Sequence, residues 1–271
     1  QVFTVDNVGG VPATLMNGTG LALPYQFEGG IYPGTSGNCG VTLAALANCT
    51  IAVVFAPTVL GVVGDTINMN YHDGVAAQLT PRPVTGEGVN PAFLTVGGAN
   101  PFNYGVHATT TVTSNIFTIT NGGGYIANGL SAITIVGPFN YVGGTYPGTG
   151  GSCLGSLAAG SMCTVEIEFA PTTSGFITSQ FDIQYDDGAN TQILSHPIEA
   201  TGADPANLVI SGASPLDFGS YPTGSTNTFI VTVTNNGGVA TSATTGAALT
   251  APFSYEGGGA FPGATGSCLA V

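Results

Sequence analysis

The chain has no lysine and no tryptophan, and Arg82 is its only basic residue. Against it stand 14 carboxylates, for a formal net charge of −13. Nucleic acids and anionic membrane surfaces capture proteins through Lys and Arg, so both are excluded as partners. Without tryptophan, Phe and Tyr are the only large aromatics available to a core. A transmembrane helix needs roughly 20 uninterrupted apolar residues. The most apolar run, 51–63, is broken by Pro57 and Gly61, so membrane insertion is not expected. No signal peptide is legible either: residue 1 is Gln, and no basic segment leads into an apolar one. The expectation is a processed or partial product.

Low charge does not mean disorder here. Disordered chains combine high charge with low hydrophobicity, whereas this one has 6% charged and 43% apolar residues. Its surface must be built from Thr, Ser, Asn, Gln and Gly. Five cysteines are present, and four form two C-x9-C pairs, Cys39 with Cys49 and Cys153 with Cys163. The pattern predicts disulfides, hence an oxidising compartment and an extracellular, secreted or cell-surface location. Free buried thiols are the alternative. Zinc is disfavoured, because no His lies at ligand spacing from these cysteines.

The chain also repeats itself. NCTIAVVFAPTVLG (48–61) returns as MCTVEIEFAPTTSG (162–175), 114 residues on. The same step of 114 links Asn7, Asn121 and Asn235, each closely followed by Gly-Gly. It links Tyr32-Pro33 to Tyr146-Pro147, and Asp73-Gly74 to Asp187-Gly188. The predicted organisation is a first repeat at 1–90 lacking its N-terminal strand, a complete repeat at 91–204, and a third at 205–271 cut after its first cysteine. The partner of Cys268 is expected beyond the chain end. Two readings follow. In one, the chain is a window cut from a longer repetitive protein; in the other, neighbouring subunits complete the broken repeats by donating strands.

Within the complete repeat, apolar residues alternate with polar ones at Leu94 and Val96, Phe117 and Ile119, Val165 to Phe169, and Phe181 to Tyr185. Period-two alternation marks strands with one buried face. Asp187-Gly188 between two such runs signals a hairpin. No ten-residue stretch holds a helical period free of Gly or Pro. About seven strands in some 110 residues predict an all-β, Ig-like sandwich, in tandem repeats of 114 residues. Each C-x9-C bridge clips a loop to the start of the next strand. The order FNYG or LDFG, then VTVTNNGG or FTITNGGG, then the Cys-Thr-Val…Phe-Ala-Pro-Thr block and an Asp-Gly hairpin resembles Ig-like domains of the abnormal-spindle and hydin type. The bacterial choice-of-anchor D-like repeats are the most similar version. The resemblance covers the whole chain and implies an Ig-like sandwich in large, repetitive, secreted bacterial surface proteins; it does not imply an enzymatic activity.

The residues point away from chemistry as well. Hydrolysis needs a nucleophile with a base, or paired carboxylates. His72, His107 and His196 do not recur: Asp186 and Arg82 stand at the positions matching His72 and His196. No catalytic residue, metal site or cofactor is expected. Asp73 and Asp186-Asp187 offer oxygens to calcium, but no D-x-D-x-D-G run accompanies them, and a hairpin corner is the preferred reading. Asn17 and Asn48 open N-glycosylation patterns, which a bacterial source would make weak. The loops carrying Tyr32, Tyr146 and Phe261 place an aromatic before Pro among glycines, an arrangement able to stack on a sugar or to pack on its own domain. Ala52 and Val54 stand where the second repeat has Glu166 and Glu168. That substitution predicts an apolar contact stripe on the first repeat. The leading expectation is a structural array forming an extracellular fibre, filament or stalk, with further copies of itself as partner. An adhesin spacer, and then a secreted carbohydrate-binding module with a glycan partner, are the alternatives.

Overall fold

The computed structural model describes residues 1–268. The chain divides into two compact units, Gln1–Pro91 and a second beginning at Ala92. The first contains β1 (Val2–Asp6), β2 (Ala13–Thr19), β3 (Tyr25–Phe27), β4 (Thr42–Leu43), β5 (Asn48–Phe55), β6 (Gly61–His72) and β7 (Ala77–Gly88). One sheet runs β1-β5-β3 and the other β4-β2-β6-β7.

The second unit begins with β8 (Leu94–Val96), β9 (Phe102–Ala108), β10 (Thr113–Asn121), β11 (Ala127–Ala132), β12 (Phe139–Tyr141), β13 (Ser156–Leu157), β14 (Met162–Phe169), β15 (Gly175–Asp186) and β16 (Thr191–Ala203). Its sheets run β12-β14-β10-β8 and β13-β11-β15-β16-β9, antiparallel except that β9 lies parallel to β16. The rest of this unit carries β17 (Leu208–Ile210) paired with β18 (Val233–Asn235).

The expected all-β, Ig-like sandwich is what forms. Phe117 and Ile119 on β10, Val165, Ile167 and Phe169 on β14, and Phe181, Ile183 and Tyr185 on β15 all bury in one core drawn from both sheets. Their polar alternates Glu166, Glu168 and Asp182 stay partly exposed. Burying a side chain of this size contributes about 1.5–3 kcal/mol, and fully buried Phe139, Phe169 and Phe181 do what tryptophan would otherwise do. The Asp-Gly positions form the β15–β16 and β6–β7 hairpin loops, where Gly188 and Gly74 both adopt φ +96°, conformations that favour glycine.

Asn121 explains the repeated asparagine. It is fully buried at the end of β10. Its Nδ2 donates to the carbonyls of Tyr125 (2.8 Å) and Leu157 (3.0 Å). Its Oδ1 accepts from the Phe93 N–H (3.1 Å) and the Gly123 N–H (3.0 Å). One side chain thus ties β8, the Gly-Gly turn and β13 together. Asn235 repeats this with Asn207 and Gly237. Asn7 holds Gly9, Val11 and Leu43 in the first unit, with no β8-like strand on its other side.

The first unit is therefore a sandwich with one face open. No strand among its described residues corresponds to β8 or β9. Phe3 and Val5 are half-buried where Phe117 and Ile119 are sealed.

Candidate contact surface

Both predicted disulfides are present, Cys39–Cys49 and Cys153–Cys163, each with Cα atoms 4.9 Å apart. Cys268 is partly buried and unpaired among the described residues. Each bridge closes a loop that crosses the outer edge of a strand. In the second unit the loop 142–153 lies against β14: the Glu166 N–H donates to the Pro147 carbonyl (2.8 Å). A Cβ at Gly148 would stand 2.4 Å from the Glu166 carbonyl oxygen, and its φ is +92°, so only glycine fits. In the first unit the Ala52 N–H meets the Pro33 carbonyl (2.7 Å), and Gly34 makes the same close approach. The residue before each first cysteine completes the seam. Asn38 Oδ1 accepts the Thr50 N–H (2.7 Å), and Ser152 Oγ accepts the Thr164 N–H (3.0 Å).

This geometry corrects the expected stripe at Ala52 and Val54. Ala52 is buried at 4% exposure beneath its own loop, and Val54 is half-buried beside Gln26 of β3. The difference from Glu166 has a local cause. Each loop needs a carboxylate to accept a backbone N–H at its tip. Glu28 accepts from Ser36 in the first unit (2.7 Å), and Glu256 accepts from Thr265 in the third segment (3.0 Å). The second unit has Val142 at that place, and Glu166 reaches over from the strand to accept the Gly150 N–H (2.8 Å). Ala52 is apolar because Glu28 already fills the role.

The aromatic of each loop packs inward. Tyr32 stands edge-on to Phe27, Tyr146 to Tyr141 and Phe261 to Tyr255, with centroids 5.6, 5.6 and 5.7 Å apart. Burial pushes the Tyr146 hydroxyl up to about 12. The hydroxyls of Tyr141 and Tyr146 meet no protein partner. These rings are wedges under their loops, not platforms presented to solvent.

The other polar groups singled out are tied into turns or the core. Asp73 Oδ1 accepts the Val75 (2.8 Å) and Ala76 (2.7 Å) N–H groups, and Gln78 donates to its Oδ2 (2.7 Å). These bonds, led by that from Ala76, hold its carboxyl at about 2. Asp187 repeats the set with Ala189, Asn190 and Gln192, and its carboxyl is likewise lowered. His196 is buried between Phe117 and Phe181, at centroid distances of 5.5 and 5.3 Å. Burial lowers its pKa, against a smaller opposing pull from the Ala99 backbone. Nε2 of the ring has no partner. His107 Nε2–H donates to the Tyr104 carbonyl (2.8 Å), and His72 Nδ1 accepts the Gly74 N–H (3.1 Å). The three histidines therefore occupy separate places.

Two surfaces of the first unit went unread in the strand pattern. The first lies in loops and, at Leu15, in the irregular stretch of β2. Val8, Leu15, Leu23, Leu46 and Val75 are all at least 75% exposed. A step of 114 finds Gly122, Gly129, Gly137, Gly160 and Ala189 at the matching positions. The signal was in the sequence, but outside the alternating strand pattern. The second is the open face: a groove of about 740 Å³ floored by Met16, Ile51, Ile67 and Met69 and flanked by Phe3 and Arg82.

No family model matches the chain, and no curated protein does. Distant likenesses appear among solved structures. The VesB protease of Vibrio cholerae is 16% identical with a TM-score of 0.33, over 40% of this chain and 31% of that one. A protein of unknown function from Porphyromonas gingivalis W83 is 12% identical with a TM-score of 0.33, over 74% and 90%. The human CEP192 ASH/PapD-like domain 7 is 13% identical with a TM-score of 0.31, over 42% and 87%. At these scores none of the three carries an argument about activity.

Proposed function

We propose that this chain is a non-catalytic structural repeat segment of an extracellular fibre, filament or stalk, of the kind its abnormal-spindle/hydin-like and choice-of-anchor D-like motifs suggest. The observation that carries the reading is the use made of its reactive side chains. Cysteines, turn aspartates, glutamates and loop tyrosines all hold their own loops in place, and the cysteines, aspartates and tyrosines do so at matching positions in both units, with the glutamate supplied from a different position in each. The two disulfides favour an oxidising, extracellular setting. Each sandwich adds roughly 30–40 Å if its strands run along the fibre. The exposed valines and leucines of the first unit favour further copies as the partner, since an apolar surface of this kind marks contact.

Electron cryo-microscopy of native material from the cell surface tests this. Ordered filaments whose contacts include Val8, Leu15 or Leu46 are the expected result. Dispersed single molecules carrying no fibre would overturn it, and strings of units ending in a distinct tip would make the chain an adhesin spacer instead.

A further inference from the structure

We propose that His196 is an acid-operated latch on β16: when its imidazole takes a second ring proton it leaves the core, and the Thr191–Pro197 stretch opens from the second sandwich. Such a latch works the same way whether or not the chain builds a fibre.

His196 is the first buried side chain of β16, at 3% exposure, and the residues before it on the strand are exposed or half-buried. Its ring lies between Phe117 of β10 and Phe181 of β15, its direct partner in the ladder. The Ala99 backbone, between β8 and β9, supplies its one polar contact, and Nε2 has no partner. That contact therefore falls to Nδ1, which holds the single proton of the neutral ring. A second proton goes on Nε2, where no acceptor stands. A buried neutral nitrogen without a partner costs little beside a buried cation without one.

Nothing around the ring is placed to offset that charge. β8 and β10 carry no ionisable side chain. On β15, Asp182 stands opposite Ser195 and accepts from Gln180 Nε2 (3.1 and 3.0 Å), Asp186 accepts the Gly188 N–H (2.7 Å), and the Tyr185 hydroxyl meets the Leu94 N–H (3.4 Å). On β9, Tyr104 donates to the Ile167 carbonyl and His107 to the Tyr104 carbonyl. On β16 itself, Glu199 accepts from Asn103 Nδ2 (2.8 Å). Asp187, the one buried carboxylate among the described residues, is committed to its hairpin.

The strand is also held on one side only at this point. Its ladder to β15 runs from Thr191 to Gly202, whereas β9 joins it only from Ile198 onward. Pro197 brings no N–H to either side. Local opening is cheapest where few apolar side chains are buried, and no side chain before His196 on this strand is fully buried. Burial holds the imidazole below its ordinary pKa of 6.5. Below that value the open form binds more protons than the closed one. The closed form is therefore at full strength above 6.5 and weakens as the pH falls toward the lowered value, by up to about tenfold in the open-to-closed ratio per pH unit. The first unit has no such latch, because Arg82 stands at the matching position and its guanidinium stays charged throughout.

Hydrogen–deuterium exchange on the 271-residue chain from about pH 7.5 to about pH 5, corrected for intrinsic rates, tests the latch, together with an NMR titration of the His196 ring. Protection of the Thr191–His196 amides is expected to fall by up to about tenfold per pH unit below 6.5, while β5 of the first unit stays level. The ring should titrate below 6.5. His196→Gln cannot take the proton and should abolish the pH dependence of β16. The latch is overturned if β16 protection is flat across the range, if His196→Gln keeps the wild-type dependence, or if the ring titrates at or above 6.5. Should His196→Gln fail to fold, the wild-type exchange and titration decide alone.

Discussion

At positions 7, 121 and 235 an asparagine does what few side chains can. Its amide offers two donors and a two-lone-pair acceptor in one plane, enough to serve a strand, a turn and a neighbouring loop together. Aspartate lacks the donors, and an apolar residue leaves every partner orphaned. Each buried group left without a partner costs about 1–3 kcal/mol. Asn121→Ala abandons Tyr125, Leu157, Phe93 and Gly123 in a sealed site. It is expected to lower the stability of the second unit by about 3 kcal/mol or more. Asn7 is half-exposed, and water can take over for the lost amide. Asn7→Ala should cost the first unit about 1 kcal/mol. Urea titration followed by tyrosine fluorescence measures both, and equal costs would contradict the assignment of Asn121 as the more buried anchor. The repeated asparagine was visible in the sequence as a landmark. Its reason was not, because its partners lie up to 36 residues away on other strands.

At the scale of the element, the crossing loop is the unit of design. It has no regular secondary structure of its own beyond a single turn at Glu28–Gly30. It is held by a bridge, a carboxylate, a proline carbonyl and an aromatic wedge. Removing the bridge should loosen the unfolded chain more than it disturbs the native contacts. A closed loop this short is worth about 3 kcal/mol in chain entropy. Cys153→Ala with Cys163→Ala is expected to lose about that much, and reduction of the wild type with dithiothreitol, which opens both bridges, should cost the second unit the same. A much smaller loss would mean that the seam of hydrogen bonds from Pro147, Ser152 and Glu166 holds the loop unaided. Spacing alone made the cysteine pairs legible, and alternation made the strands legible. What alternation cannot reveal is which outward-facing residue a loop will cover. Ala52 reads as exposed because its neighbours Ile51 and Val53 face in, yet the YPG loop roofs it. The carboxylate exchange between Glu28 and Glu166 becomes readable only once that loop is placed.

At the scale of the whole molecule, the lack of cations becomes a property rather than a gap. Trypsin-like proteases cut after Lys and Arg, and the single candidate bond is Arg82–Pro83, with Arg82 paired to Ile67 in the β6–β7 ladder. Proline after the arginine hinders that cut as well. The chain should resist trypsin folded or unfolded, so trypsin reports nothing about the fold. A broad-specificity protease does. Cleavage requires the backbone to open locally, and opening is cheapest where few apolar residues are buried. Both sandwiches are built from paired strands closed by disulfide-clipped loops, whereas among the described residues the stretch after β16 has only the short β17–β18 pair. Its Leu208, Phe229, Ile230 and Phe253 are all at least 44% exposed. Limited digestion of the isolated chain by a broad-specificity protease is therefore expected to trim residues beyond about 204 first, leaving both disulfide-clipped sandwiches intact by mass spectrometry. Early cuts inside β5 or β14 would contradict the picture of two disulfide-clipped sandwiches.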